Sequence, residues 1–296
     1  MPDSDRRPHA SLRTTGVAFV LVWCTGYIAG ALMVAQAAPL TALVWRFGLA
    51  ALAFGAFAVA AGVAWGDGRA RLHSAVTGVL MLALQFGGVY LAFAWGASAG
   101  VAALVIGTMP LLVAALAVAG GDERLRASQW GGMALGLAGV ALVVADRIDG
   151  HTPWPAWLAL LGGLVGISVG TLYQKRHASR IDLRAGLALQ NAAATLVLLP
   201  GAWWLEGLRY ADAAGFYLPM LWTVVVNSLG GFALLFVLIQ RGAATGVAAL
   251  FFLMPPVTAV FGVWILGEHL TALKGAGFAL AALGVWLATR RATAPV

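Results

Sequence analysis

Charge is scarce in this chain. Of 296 residues, 10% are Asp, Glu, Lys or Arg, while 61% are hydrophobic. A soluble domain carries about 25% charged residues, so the chain lacks the polar residues that a water-facing surface needs. It is expected to be an integral membrane protein. A single cysteine, Cys24, excludes an intrachain disulfide and a cysteine metal cluster. Acids are absent from the apolar stretches. Asp3, Asp5, Asp67, Asp122, Glu123, Asp146, Asp149, Asp182, Glu206, Asp212 and Glu268 all fall in tails, connectors or helix ends, and so do His9, His73, His151, His177 and His269. A relay of buried Asp, Glu or His, common in proton-driven carriers, is therefore missing. Either a residue at a helix end couples transport, Glu123 or Glu268, or transport is uncoupled. The only adjacent acidic pair is Asp122-Glu123, and there is no metal-ligand His spacing, GxSxG or Walker loop. A membrane enzyme that holds a metal through clustered carboxylates is thereby disfavoured, and no cofactor or metal is expected.

What the chain does contain is ten apolar segments near the roughly 20 residues that cross a bilayer. They run at about 15–35, 39–64, 73–95, 99–119, 128–146, 155–174, 184–204, 214–239, 244–266 and 271–289. The polar start is followed by an apolar run without a cleavage site, which reads as a retained helix and not a signal peptide. With the N-terminus inside, the cytoplasmic pieces hold 14 Lys and Arg and the outer connectors hold 3, namely Arg147, Arg209 and Lys274. That excess is a positive-inside signal for ten spans with both ends in the cytoplasm. The basic residues sit in short connectors, so they read as topology signals and not as a nucleic-acid patch.

One stretch occurs twice. Gly100-Val101-Ala102-Ala103-Leu104, Met109-Pro110, Glu123-Arg124-Leu125 and Gly139-Val140 reappear as Gly246-Val247-Ala248-Ala249-Leu250, Pro255-Pro256, Glu268-His269-Leu270 and Gly284-Val285. The offset, 146 residues at the start and 145 at Glu268, is about half the chain, the mark of a duplication. Ten spans then divide into two halves of five, and an odd number turns the halves over relative to each other. The expected fold is all-α and integral to the membrane: a tail 1–14, a first five-helix repeat 15–146, an inverted second repeat 155–289 and a tail 290–296. Inverted repeats are a recurring transporter plan, with substrate near the midplane between the halves.

Prolines mark that midplane. Pro110 falls near the middle of the fourth span, and Pro255 and Pro256 near the middle of the ninth. Each removes a backbone donor, and interrupted helices at matching places point to a transport site. Their other reading is a kink that only shapes the bundle. Thr25, Tyr27, Gln85 and Asn227 fall at similar depth, Gln190 and Asn191 slightly to the cytoplasmic side, Trp23 and Trp45 nearby, and Tyr90 and Trp95 toward the outer end of the third span. Amides facing lipid are unfavourable, so these face inward. Each also has a purely structural reading as an interhelical hydrogen bond. Trp23, Tyr27, Arg46, Gln85, Tyr90, Trp95, Asn191, Asn227 and Met254 are the candidate substrate contacts. Trp154 and Trp157, at a span end, read as interfacial anchors. Arg46 is the one charge inside a span, about 10 Å down the helix from Pro39. Two roles stand open for it, attracting a substrate carboxylate or bonding carbonyls at a helix end or kink. Glycines four apart, Gly162, Gly166 and Gly170, Gly26 and Gly30, and Gly132 and Gly136, offer faces for close helix approach. They serve a seam within the chain or a homodimer face.

These features resemble a family. Trp23 early in the first span, Pro39 followed by Arg46, Gly100 through Pro110 with Glu123-Arg124-Leu125, and Gly246 through Pro256 with Glu268-His269-Leu270 are similar in order and spacing to the EamA-domain members of the drug/metabolite transporter superfamily. Gln190 stands where the repeat would place a second Arg46, which departs from symmetry. The resemblance implies export of small metabolites across a bacterial inner membrane. Its aromatic amino acid and methyl viologen exporter subgroup makes amino acids the nearest expectation, with other metabolites or drugs such as cationic aromatics as the alternative and a membrane-embedded enzyme or sensor as the reading outside transport. A small-molecule substrate and the lipid bilayer are then the partners of a monomer or homodimer.

Overall fold

The computed structural model of the chain describes residues 6–120, 127–145, 152–178, 181–231, 233–234, 237–238 and 253–289. They form α1 Arg6–Val34, α2 Pro39–Ala60, α3 Gly68–Ala94, α4 Ala99–Ala119, α5 Ala127–Ala145, α6 Trp154–His177, α7 Leu183–Trp204, α8 Ala213–Gly231, α9 Met254–Leu266 and α10 Ala272–Thr289. Seven of these hold a span long and apolar enough to cross a membrane: α1 from Thr14, α2, α3, α4, α6, α7 and α8; α5, α9 and α10 are shorter and apolar. The described residues form no strand, only one isolated bridge, Ala37 to Tyr210.

Local chemistry sets where the helices start. Ser98 accepts from Val101 N at 3.3 Å, Asp67 from Ala70 N at 2.7 Å and Asp182 from Arg184 N at 2.9 Å. Each occupies one of the four amides a helix start leaves unpaired. Asp182 is outside the span, and its hydrogen bond from Arg184 holds its carboxyl below the usual range. The cap of α2 comes from far along the chain. Pro39 opens the helix, and Glu206 accepts from Leu40 N at 3.1 Å, Thr41 N at 2.6 Å and Thr41 Oγ1 at 2.8 Å. Likewise Glu268 accepts from Ala99 N at 2.6 Å and caps α4. After α9, Gly267 turns with φ +67°, a conformation glycine adopts without penalty.

Each expected segment overlaps a helix among the described residues, seven of them long enough to span, and the ends differ. The polar residues before the first span are helical from Arg6. The third helix begins earlier, at Gly68, because Asp67 caps it there. Residues 123–125, the repeated stretch 246–250 and the start of the ninth segment lie outside the described residues.

The helices pair in a regular way. α2 packs along α7, α5 along α10 and α4 against α9, while α3 packs on α6 and α1 on α8. Replacing each helix by the one five places along leaves this set of pairs unchanged. Glycine makes the seams close. An added methyl at Gly139 would sit 2.7 Å from the Gly277 carbonyl oxygen across α5–α10, and one at Gly163 or Gly166 would sit 2.8 or 2.7 Å from the Gln85 or Leu80 carbonyl across α3–α6. Gly26 meets Asn227, Gly30 meets Tyr90, and Gly284 meets Gly132 and Gly136. The glycine faces thus serve seams within the chain. Gly162 departs from the expectation: it faces open space, and Gly163 takes its place. Steps of four residues overshoot a 3.6-residue turn by about 40° each, so a stripe that starts at 163 stays nearer α3.

Candidate functional site

An interrupted helix and the start of another meet inside the bundle. α4 is interrupted at Thr108, with Ala99–Gly107 on one side and Met109–Ala119 on the other. Pro110 sits in the first turn of the second piece and has no N–H to give the preceding turn. The Thr108 hydroxyl donates back to the Val105 carbonyl at 2.6 Å. α9 starts at Met254 with Pro255 and Pro256 in its first turn; whether they stand mid-helix rests on residues outside those described. Gly107 faces Pro255, so that an added methyl would be 2.9 Å from the ring Cγ. On α1, the Cys24 thiol lies 3.5 Å from the Met254 carbonyl. The break of α4 therefore lies against the start of α9, and that start lies against α1.

A polar layer lies between α1 and α8. Asn227 stands on a stretch of wide π-type turns, Trp222–Gly231, a local unwinding often found at functional sites. A similar stretch, Val79–Leu84, precedes Gln85 in α3. The Asn227 amide donates to the Val22 carbonyl and, at 3.2 Å, to the Thr25 hydroxyl, which also accepts from Trp222 Nε1 at 2.9 Å. Asn227 Oδ1 is buried and receives no hydrogen bond. Trp23 packs on Phe19 with ring centroids 5.3 Å apart and borders Gly231.

Arg46 is 5% exposed. Its Nη1 donates to the Tyr90 hydroxyl at 3.0 Å, and that hydroxyl lies 3.9 Å from Met33 Sδ. The guanidinium carbon stands 4.3 Å from the centre of the Phe86 ring, where the ring quadrupole attracts a cation. Thr223 of α8 reaches the same Met33 sulfur at 3.9 Å. No acid faces Arg46 among the described residues, and its Nε is buried without a partner. Tyr27 packs against the core cluster that includes Tyr90. Of the expected contacts, Arg46 and Tyr90 are thus brought together with Tyr27 against the same core, and Trp23, Asn227 and Met254 gather one or two turns away along α1.

The other three expected contacts are not brought there by any hydrogen bond. Asn191 is buried but donates to the Leu187 carbonyl of its own helix at 2.8 Å. Gln85 is 3% exposed at the α3–α6 seam. Trp95 caps the end of α3 and is 42% exposed. Trp154 is exposed, while Trp157 packs against the core. Met33, Phe86 and Thr223 belong to the Arg46 cluster without having been singled out. Phe86 carried one signal: it is four residues before Tyr90, on the same face.

A hollow of about 490 Å³ opens at the end of the bundle where α1 turns into α2, lined by Val34, Gln36, Pro39, Ala94, Arg209 and Tyr210, among others. Ala94 is one turn beyond Tyr90, Val34 one turn beyond Gly30, and Pro39 two turns before Arg46. The Arg46–Tyr90 contact therefore lies beneath this hollow. Among the described residues no three His, Cys, Asp or Glu side chains converge to hold a metal.

Comparison with known proteins places this architecture. A solved crystal structure, 19% identical, superposes with a TM-score of 0.66 over 95% of this chain and 96% of its own, which shows a shared fold. The inner membrane transporter YedA of Escherichia coli K12 is 24% identical over 272 residues, 92% of this chain and 88% of YedA. A probable amino-acid metabolite efflux pump of Salmonella typhimurium is 25% identical over 213 residues, 69% of this chain and 71% of the pump. The transporter YvbV of Bacillus subtilis is 32% identical over 164 residues, a match that spans 54% of YvbV. The EamA-like transporter family matches twice, at residues 14–145 and 154–290. The chain is a multi-pass membrane protein and belongs to the EamA-like transporter family.

Proposed function

We propose that the protein exports small metabolites, foremost amino acids including aromatic ones, across a bacterial inner membrane. Ten spans form two inverted repeats, 15–146 and 155–289, with both termini cytoplasmic, and substrate passes between them by alternating access. The two matches to one family and the helix pairing that survives a five-place exchange support two related halves. The observation that carries the reading is the contact between Gly107 and Pro255. There the interrupted α4 of one half meets the proline-bearing start of α9 of the other, beside a layer of buried polar groups. Breaks at matching places in the halves mark transport sites, and a proline break is a point where a helix bends at low cost. An efflux-pump relative favours amino acids. The unpaired Arg46 cation speaks against cationic aromatic drugs as cargo, because like charges repel at short range.

Purified protein in proteoliposomes tests this by counterflow of a panel of amino acids, with and without a pH gradient. Saturable exchange that ignores the gradient is expected, because no Asp or Glu among the described residues is fully buried. Gradient-driven accumulation would refute uncoupled transport, and absence of amino-acid flux would refute the substrate class. Asn227→Ala should reduce flux more than it reduces expression. Normal flux in that variant refutes the placement of the site.

A further inference from the structure

Among the buried polar atoms near α1 that lack partners, two are of opposite kind. Arg46 Nε is a charged donor and Asn227 Oδ1 a neutral acceptor. Buried polar atoms are nearly always hydrogen-bonded, and each exception calls for an explanation. A guanidinium in a membrane interior without an acid is the costlier of the two. Its contacts with Phe86 and the Tyr90 hydroxyl compensate only in part, since neither carries charge.

The spacing of these groups is informative. The Tyr90 hydroxyl, which takes the Arg46 Nη1 bond, lies against Gly30, and the Asn227 amide lies against Gly26. Four residues of α1 separate the two glycines, about 6 Å along the helix. The absence of side chains at Gly26 and Gly30 lets both groups reach the surface of α1. Asn227 stands at one of these positions and Arg46 reaches the other through the Tyr90 hydroxyl, an order of acceptor oxygen and donor cation that suits the two ends of a zwitterion. A carboxylate accepts well from a guanidinium, and an ammonium group donates to an amide oxygen. Asn227 is held with Oδ1 free because its Nδ2 is committed to the Val22 carbonyl and the Thr25 hydroxyl. Arg46 is held by a neutral phenol that a charged oxygen can displace.

We infer that Arg46 and Asn227 form the recognition site for the backbone of a free α-amino acid, Arg46 pairing with its carboxylate and Asn227 Oδ1 accepting from its ammonium. This rests on the transport reading above and narrows its substrate class. Tyr90 keeps Arg46 occupied until a carboxylate replaces it, beneath the hollow that opens at the α1–α2 end.

The test compares phenylalanine with phenylalaninamide, which lacks the carboxylate, and 3-phenylpropionate, which lacks the ammonium. Counterflow in proteoliposomes gives the half-saturating concentration of each. The wild type is expected to prefer phenylalanine by about tenfold or more over either analogue. Arg46→Gln should lose the preference over the amide and keep that over phenylpropionate. Asn227→Met should do the reverse. Loss of both preferences in each variant, or of neither, overturns the assignment. Where one variant fails to reconstitute, the other decides; where both fail, a wild type that handles phenylalanine and its amide alike overturns it. A wild type that carries none of the three refutes the amino-acid reading and this site with it. One that carries phenylalanine but breaks the pattern refutes the site alone.

Discussion

Gly162 and Gly163 are neighbours on α6 that the fold treats differently, and replacing each by alanine isolates the cost of the α3–α6 seam. Both changes remove the same backbone freedom and gain about 0.8–1.0 kcal/mol of helix propensity. At Gly162 the new methyl enters open space. At Gly163 it arrives 2.8 Å from the Gln85 carbonyl oxygen, inside the roughly 3.3 Å at which carbon and oxygen pack. A backbone oxygen cannot rotate aside, so the helices must part by about half an ångström. Overpacking of this kind costs about 1–3 kcal/mol, and the shared propensity gain cancels from the comparison. Thermal unfolding of the two purified variants in one detergent, followed by tryptophan fluorescence, should separate their midpoints by roughly 2–10 °C, with Gly163→Ala the lower. Equal midpoints, or the reverse order, would refute the seam.

Other expectations follow from single contacts. Glu268→Ala leaves the Ala99 amide without its acceptor and should cost about 1 kcal/mol; its transport should respond to a pH gradient as the wild type does, and a lost response would make Glu268 a coupling residue. Cys24 is fully buried against Met254, so a membrane-permeant maleimide should label it slowly and faster during substrate exchange, as mass spectrometry would show; a rate indifferent to exchange would mean that α1 and α9 do not separate. Asp182 is ionised in the fold below the usual carboxylate range, so its contribution is present above the unfolded pKa and is lost as pH falls through the folded one. Asp182→Asn should accordingly lose less stability than the wild type on acidification from about pH 5 to pH 3, read by thermal melts at each pH.

The sequence made the scaffold legible and the contacts only partly so. Hydropathy marks a helix well because a span needs about 20 apolar residues, and every expected segment has a helix within it. Depth along a span is also readable, and it set Tyr27 near the middle of the first span and Tyr90 toward the outer end of the third, but it did not bring Tyr90 to Arg46. Facing is harder. Asn191 lies at a suitable depth but satisfies its amide on its own helix, an outcome that residue type and position cannot distinguish from a cavity contact. Trp95 follows the last full turn of α3 and ends exposed, because a helix end turns side chains outward that its interior would bury. The caps of α2 and α4 by Glu206 and Glu268 join residues 165 or more apart in the chain, and no local pattern announces such a bond.

Those two caps bear on the proposed motion. Both acids follow helices of the second half, and both hold the first turns of helices in the first half, at the end of the bundle where Ala37 bridges Tyr210. A buried helix start that loses its acceptor leaves amides unpaired, so separation of the halves at this end costs those bonds unless water replaces them. Among the described residues the break in α4 and the start of α9 carry no comparable tie: Gly107 and Pro255 meet through a carbon contact alone. If the halves rock, that contact is then the cheaper place to yield and the capped end the costlier. The Arg46–Tyr90 contact lies between the two. A carboxylate that takes Arg46 from Tyr90 releases that phenol from one side of α1, so arrival of substrate would itself weaken the closure beneath the hollow. On this account Tyr90→Phe, which removes the phenol's hydrogen bond and keeps its ring against Gly30, should raise the exchange rate and leave the preference for phenylalanine over its amide intact, as counterflow of the two would show. A slower exchange with the preference lost would assign Tyr90 to binding and remove it from the closure.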